Sequence, residues 1–198
     1  MGVRVGHWAL VGAAPRRNSV VKIRIVVETH STTDDNERGI ATGWLPGLLS
    51  ERGRREAAEL GERRRADGLT AVFVSDLGRA VQTVEIAFGD GPTPVFHDWR
   101  LRECNYGRLN GGPSPEVHGK RASYLDRPYP GGESWRQAVS RVGRVFEDFR
   151  QVPPGDRVLV VGHRATLVAC AHFLGGVPLE EALVSDGEWQ PGWEYELD

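Results

Sequence analysis

Hydrophobic residues occur along this chain in short β-branched runs and in longer stretches with helical spacing. The short runs predict three buried strands, at Ile23–Val27, Ala71–Val74 and Val158–Val161. Helices are predicted from a cap at Ser50 through Arg65, from Leu77 to about Phe88, over Glu133–Arg150 and over Arg164–Leu174. This alternation predicts an α/β fold, a three-layer α/β/α domain with a mostly parallel central sheet.

The pattern also predicts the domain organisation. The chain has no repeats and no low-complexity linker, so we expect residues 23–198 to form a single domain. Residues 1–22 are only weakly apolar, and their basic residues follow the apolar stretch, so we expect a flexible N-terminal extension rather than a cleaved signal peptide. In the Glu133–Arg150 helix, Trp135 and Phe149 belong to one wide apolar face, which predicts core rather than a cofactor site.

Composition narrows the class of protein. With 39% hydrophobic and 26% charged residues the chain is typical of a soluble globular protein, and no apolar run reaches the roughly 18 residues that span a membrane. The net charge of −2 gives no overall attraction to nucleic acid or anionic lipid, so any anion site must be built locally. Cys104 and Cys170 lie far apart, which favours packing thiols in a cytoplasmic protein.

Candidate chemistry lies at the ends of the predicted strands. His30 and His163 each follow a buried strand within three residues, and Arg79 lies at the start of the helix after the strand Ala71–Val74. Glu103 follows in a polar segment. Two imidazoles, a guanidinium and a carboxylate are the groups that phosphoryl transfer to histidine requires. The remaining histidines are interpreted as structural or surface residues: His7, His97, His118 and His172.

Several separated motifs then occur in a characteristic order. They are Thr29-His30-Ser31-Thr32-Thr33, Asn36, Thr42-Gly43-Trp44, Leu49-Ser50-Glu51-Arg52-Gly53, Ser75 through Thr83, Leu101-Arg102-Glu103-Cys104-Asn105-Tyr106-Gly107 and Gly162-His163-Arg164. In these motifs the chain resembles the histidine phosphatase superfamily, which includes the cofactor-dependent phosphoglycerate mutases. The resemblance covers residues 23 to about 176 and implies a phosphoglycerate mutase-like fold.

The resemblance also implies roles for individual residues. His30 is the phosphorylated nucleophile, Glu103 donates a proton to the leaving group and later activates water, His163 is the second imidazole, and Arg79 binds the phosphate. The implied substrate-binding residues are Thr29, Ser31, Asn36, Thr42, Gly43, Tyr106 and Arg164. No metal and no cofactor is implied.

Three positions depart from the family pattern: Thr29 replaces an arginine, Ser31 a glycine and Arg164 a glycine. A charged hydrogen bond to phosphate contributes roughly 1.5–3 kcal/mol, so losing one weakens phosphate handling by about ten- to a hundredfold or more. Three interpretations follow: the arginine is functionally replaced, the enzyme is slow, or the protein binds phosphate esters without turnover. Arg164 either supplies the missing charge or is an exposed residue in the first turn of its helix. Glu28 adjoins the altered site, and strand alternation predicts that its carboxylate points away from His30.

The reaction expected is metal-independent hydrolysis of a small-molecule phosphate monoester, because the segment of about 27 residues between Glu103 and Pro130 is shorter than in the mutases. Lys120 and Arg121 could bind a substrate carboxylate and keep the mutase alternative open, or they form a solvated helix face. A metal hydrolase would use as ligands His30, Asp34, Asp35 and His163, and the Arg79 motif argues against it. Neither nucleic acid nor membrane is an expected partner. The sequence does not indicate the oligomeric state. Trp189, Trp193 and Tyr195 either cover the sheet or cap the cleft.

Overall fold

The computed structural model describes residues 22–151, 156–185 and 190–198. The predicted N-terminal extension lies outside these ranges except for Lys22. The interpretations of His7 and Trp189 also fall on residues that are not described.

The fold is a central sheet with helices on both faces. The strands are β1 (Ile23–Thr29), β2 (Ile40–Ala41), β3 (Ala71–Val74), β4 (Val95–His97), β5 (Gly112–Pro113), β6 (Arg157–Gly162) and β7 (Trp193–Leu197). The helices are α1 (Asp34–Glu37), α2 (Glu51–Arg64), α3 (Gly78–Phe88), α4 (Ser114–Gly119), α5 (Trp135–Phe149), α6 (Arg164–Phe173) and α7 (Leu179–Val184). Among the described residues, no helix is both long and apolar enough to cross a membrane.

The sheet has the strand order β4-β3-β6-β1-β7. Strands β4, β3, β6 and β1 run parallel to one another, and β7 runs antiparallel to β1. The prediction of an α/β fold with a mostly parallel central sheet is therefore confirmed. Because the parallel strands end at one edge, the residues that follow β1, β3 and β6 meet there.

Side chains alternate between the two faces of the sheet and create two apolar clusters. Ile25 and Val27 of β1 pack on the side of α5 and α6, whereas Val26 lies on the side of α2 and α3. The predicted apolar face of α5 is confirmed, since Trp135 and Phe149 are both fully buried in the first cluster. The predicted cap of α2 is also confirmed, because Ser50 Oγ accepts a hydrogen bond from Gly53 N.

Some elements were not predicted. The edge strand β4, the small ribbon of β2 with β5, and the helices α1, α4 and α7 are too short to show a clear period. Strand β7 does alternate apolar and charged residues over Trp193–Leu197, but this pattern was not interpreted as a strand. Strand β7 places Trp193 opposite Val27 and Tyr195 opposite Ile25, so these two aromatic residues extend the sheet.

Candidate active site

His30 follows β1 directly, and its ring has a defined tautomer. Its Nδ1 lies 2.8 Å from the carbonyl oxygen of Ser31, so this nitrogen carries the proton and donates a hydrogen bond to the carbonyl. Nε2 accepts a hydrogen bond from Arg79 Nε at 3.1 Å. The nitrogen that faces Arg79 is therefore the unprotonated one, whose lone pair can attack once this hydrogen bond is released.

Burial and charge keep both imidazoles neutral. Burial first, and then the Arg79 guanidinium, lowers the pKa of His30 to about 3. The pKa of His163 lies well below its usual value for the same two reasons, with a further contribution from His30. At neutral pH the His30 imidazole is therefore available for attack without first losing a proton.

Arg79, in the first turn of α3, joins the two histidines. Its Nη2 lies 3.2 Å from His163 Nδ1 and donates to the Gly43 carbonyl at 2.9 Å. The two imidazole rings are 5.0 Å apart between centroids. Only 3% of Arg79 is exposed, so its guanidinium has little conformational freedom and forms a preorganised cation beside both rings.

Hydroxyl groups hold this arrangement in place. Ser75 Oγ lies 2.8 Å from His163 Nε2. Because His163 Nδ1 faces the Arg79 guanidinium, which can only donate, the ring proton is on Nε2 and Ser75 Oγ accepts a hydrogen bond from it. Thr83 Oγ1 accepts from Ser31 N at 3.0 Å and donates to the Arg79 carbonyl at 2.8 Å. The sequence motif contained Ser75 and Thr83, but no role was predicted for either residue.

Glu103 enters the site from the loop after a 3-10 turn at Trp99–Leu101. Its carboxylate accepts hydrogen bonds from the backbone N–H groups of Cys104 at 2.8 Å and of Arg164 and Ala165 at 3.1 Å. Two of these donors are in the first turn of α6, whose backbone N–H groups have no acceptor within the helix. The carboxylate is thus fixed at the same sheet edge as the histidines.

All of the predicted site residues line one or both of two adjoining cavities. A cavity of about 180 Å³ is lined by His30, Asn36, Ile40, Ala41, Thr42, Gly43, Arg79, Glu103, Tyr106, His118 and Arg164. A larger one of about 510 Å³ shares His30, Asn36 and Arg164 with it and adds, among others, Thr29, Ser31 and His163. His118, interpreted as a structural or surface residue, also lines the small cavity, and its Nδ1 lies 3.0 Å from Ser114 Oγ. No sequence signal marks it, since it follows no strand.

Two of the polar residues expected to touch substrate, Asn36 and Thr42, also have structural partners. Asn36 Oδ1 accepts from Thr33 N at 3.1 Å in the capping box of α1. Thr42 Oγ1 donates to Asp35 Oδ2 at 2.9 Å. These bonds orient both side chains at the wall of the cavity before any substrate binds.

Arg164 and Glu28 have contacts that the sequence did not indicate. Arg164 Nη2 donates to the carbonyls of Ala182, Leu183 and Ser185 at the end of α7. To bring this nitrogen to a phosphate, Arg164 must release these carbonyls, and its predicted compensating role stays a prediction.

The Glu28 carboxylate is buried, with 3% of the residue exposed, and accepts from Arg64 Nε at 2.9 Å and from Arg63 Nη2 at 3.4 Å. Both arginines belong to α2. They neutralise the negative charge that lies two residues from His30. Residues two apart along a strand share a face, and Glu28 and His30 line the same cavity, so the expectation that the Glu28 carboxylate points away from His30 is not borne out.

Other expectations concern metals and the mutase alternative. In the described part of the chain, no group of three or more histidine, cysteine, aspartate or glutamate residues is placed to hold a metal ion. Asp35, a ligand in the metal alternative, instead accepts from Arg38 and Thr42. Lys120 and Arg121 line neither of the two cavities.

Comparison with known proteins gives consistent matches. The family model described as histidine phosphatase superfamily (branch 1) matches residues 25–185. A 2,3-bisphosphoglycerate-dependent phosphoglycerate mutase of Parvibaculum lavamentivorans is 32% identical over 190 residues, covering 88% of this chain and 90% of that protein.

Solved structures match as well. YhfR of Bacillus stearothermophilus superposes with a TM-score of 0.77 at 25% identity, covering 89% of this chain and 92% of that one. A mycobacterial glucosyl-3-phosphoglycerate phosphatase in complex with VO3 superposes with a TM-score of 0.70 at 25% identity, covering 81% and 85%.

Proposed function

Since the chain belongs to the histidine phosphatase superfamily, we propose that it is a metal-independent phosphatase that hydrolyses small-molecule phosphate monoesters through a phosphohistidine at His30. The observation that carries this proposal is the state of His30. Its Nε2 is unprotonated and lies 3.1 Å from a buried guanidinium, while its Nδ1 proton is held by a carbonyl. This arrangement suits nucleophilic attack on an anionic phosphoryl group.

The reaction has two steps. His30 Nε2 attacks phosphorus in line with the ester oxygen, the P–O bond breaks, and Glu103 in its protonated form gives its proton to the leaving oxygen. Phosphate binding replaces the hydrogen bond between Arg79 and His30, so that Arg79 donates to the phosphate oxygens instead. The Ser31 carbonyl, which accepts from Nδ1, stabilises the positive charge that develops on the ring. In the second step Glu103 takes a proton from a water molecule, whose oxygen attacks phosphorus. The P–N bond to His30 Nε2 then breaks, which releases inorganic phosphate and restores free His30.

A mutase uses the same phosphohistidine and differs in its acceptor, which is a bound substrate rather than water. The 32% identical relative is named as a phosphoglycerate mutase, which favours this second candidate. The lining of the cavities favours hydrolysis, because Lys120 and Arg121, the pair that could bind a substrate carboxylate, lie outside both. Thr29 supports a third possibility, a weakened enzyme that binds phosphate esters and turns them over slowly.

The test is phosphate release from a panel of phosphate monoesters by the purified protein in EDTA, together with His30→Ala. The matched control is His97→Ala, which removes an exposed imidazole at the end of β4 that lines neither cavity. We expect turnover and an acid-labile phosphoenzyme in the wild type and in His97→Ala, and neither in His30→Ala.

Including 2- and 3-phosphoglycerate in the panel separates the candidates. Interconversion of the two isomers without phosphate release identifies a mutase. Ester binding without turnover identifies a binder. Activity that survives in His30→Ala contradicts the proposed mechanism.

A further inference from the structure

Arg141 of α5 contacts the chain segment that carries Glu103. Its guanidinium donates to the carbonyls of Arg100 at 2.7 Å, Arg102 at 3.1 Å and Glu103 at 3.2 Å. Only 4% of Arg141 is exposed. One buried side chain therefore holds three carbonyl groups over four consecutive residues, ending at Glu103 itself.

Glu133 extends this contact to the residues after Glu103. It pairs with Arg141 through two hydrogen bonds, from Nε at 2.8 Å and from Nη2 at 2.7 Å. The same carboxylate accepts from Asn105 N at 3.0 Å. Trp44 Nε1 donates to the Glu103 carbonyl at 2.6 Å as well. The backbone is thus fixed on both sides of Glu103.

The energetics point to position rather than stability. Removing a guanidinium and a carboxylate from water is costly, and an apolar pair of similar volume often stabilises a fold equally well or better. The Arg141–Glu133 pair has a geometric effect that no apolar pair can reproduce, because its donors and acceptors match the backbone groups at residues 100 to 105. The Glu103 carboxylate is fixed independently by the N–H groups of α6, so its backbone and its side chain are both restrained.

We propose that Arg141 is a positioning residue for the proton donor of the proposed phosphatase. Together with Glu133 it holds the Glu103 backbone so that the carboxyl group stays within hydrogen-bond reach of the leaving oxygen. A displacement of about 1 Å at such a group lowers rates by roughly a hundredfold. This inference rests on the proposed function, in which Glu103 protonates the leaving group.

Comparing two leaving groups distinguishes a positioning role of Arg141 from a purely structural one. An alkoxide needs a proton as the P–O bond breaks, whereas dinitrophenolate departs as a stable anion. We therefore compare kcat/KM for two substrates, the best alkyl phosphate of the panel and 2,4-dinitrophenyl phosphate. This parameter reports the steps up to phosphorylation of His30 and excludes the later hydrolysis step.

For Arg141→Met we expect kcat/KM to fall about a hundredfold with the alkyl phosphate and less than about threefold with the dinitrophenyl ester. Arg141→Lys, which keeps the charge beside Glu133 but offers fewer donors, should give an intermediate loss with the same substrate dependence. The matched control is Arg65→Met. Arg65 also donates to two carbonyls, those of Ile86 and Ala87, but it lies outside the site and should leave both activities unchanged.

Equal losses with both substrates in Arg141→Met and Arg141→Lys, or no loss in either variant, overturn the inference. The variant Glu103→Gln shows whether the inference about Arg141 or the proposed reaction has failed. If Glu103 is the proton donor, this variant must lose much more activity with the alkyl phosphate than with the dinitrophenyl ester. A wild type inactive toward both esters, or a Glu103→Gln variant without that dependence, overturns the proposed reaction and the role of Arg141 with it.

Discussion

Replacing Thr29 by arginine should increase catalytic efficiency, because the position lies beside His30, the proposed nucleophile, at the wall of a cavity. Thr29 lines the space of about 510 Å³ that contains His30 and His163, and also a second space of about 280 Å³. A longer residue therefore has room to extend along the sheet edge toward the phosphate.

The magnitude follows from one new charged hydrogen bond. Such a bond contributes roughly 1.5–3 kcal/mol, which corresponds to about 10- to 150-fold in kcat/KM if it forms in the transition state. The assay is phosphate release from the best ester of the panel. Thr29→Met is the control, because it fills similar space without charge and should show no gain.

A Thr29→Arg variant no better than Thr29→Met would refute this reasoning. Arg164→Met then identifies the cause. If Arg164 supplies the phosphate-binding charge, this variant loses activity in the wild-type background and loses much less when Thr29→Arg is also present. If Arg164 only holds the carbonyls at the end of α7, both backgrounds change equally.

Two further predictions concern stability. The pKa of His30 is lowered to about 3, so between this value and the unfolded value near 6.5 the unfolded state binds more protons than the native state. The free energy of unfolding should therefore fall as pH is lowered through this window, and fall less steeply in His30→Asn; equal slopes in urea titrations would contradict this. Arg64→Leu removes the main partner of the buried Glu28 carboxylate, since Glu28 is only 3% exposed and keeps Arg63 Nη2 at the longer distance of 3.4 Å. We expect a loss of roughly 3–5 kcal/mol in urea unfolding, and a much smaller loss in the double variant Glu28→Val/Arg64→Leu. Equal losses in the single and double variants would contradict this interpretation.

The sequence alone determined the main strands and helices of the fold and the placement of the site residues at the ends of the strands. Strands β1, β3 and β6 and helices α2, α3, α5 and α6 could be predicted because their patterns are local, with apolar residues at fixed spacing and caps at the ends. Since parallel strands end at one edge, the same reasoning placed His30, Arg79 and His163 together, and the structure brings them into contact.

Only the tertiary structure decided which groups hold these residues. The pairing of β7 with β1 and the neutralisation of Glu28 by α2 depend on partners distant in sequence. The same is true of the Ser75 contact with His163 and of the Arg141 contacts with the Glu103 loop. Such hydrogen bonds form between side chains and backbone groups that folding brings together, and no local periodicity records them. The residues of the candidate site could therefore be predicted from their order in the sequence, while the geometry of the site depends on long-range contacts made by buried polar groups.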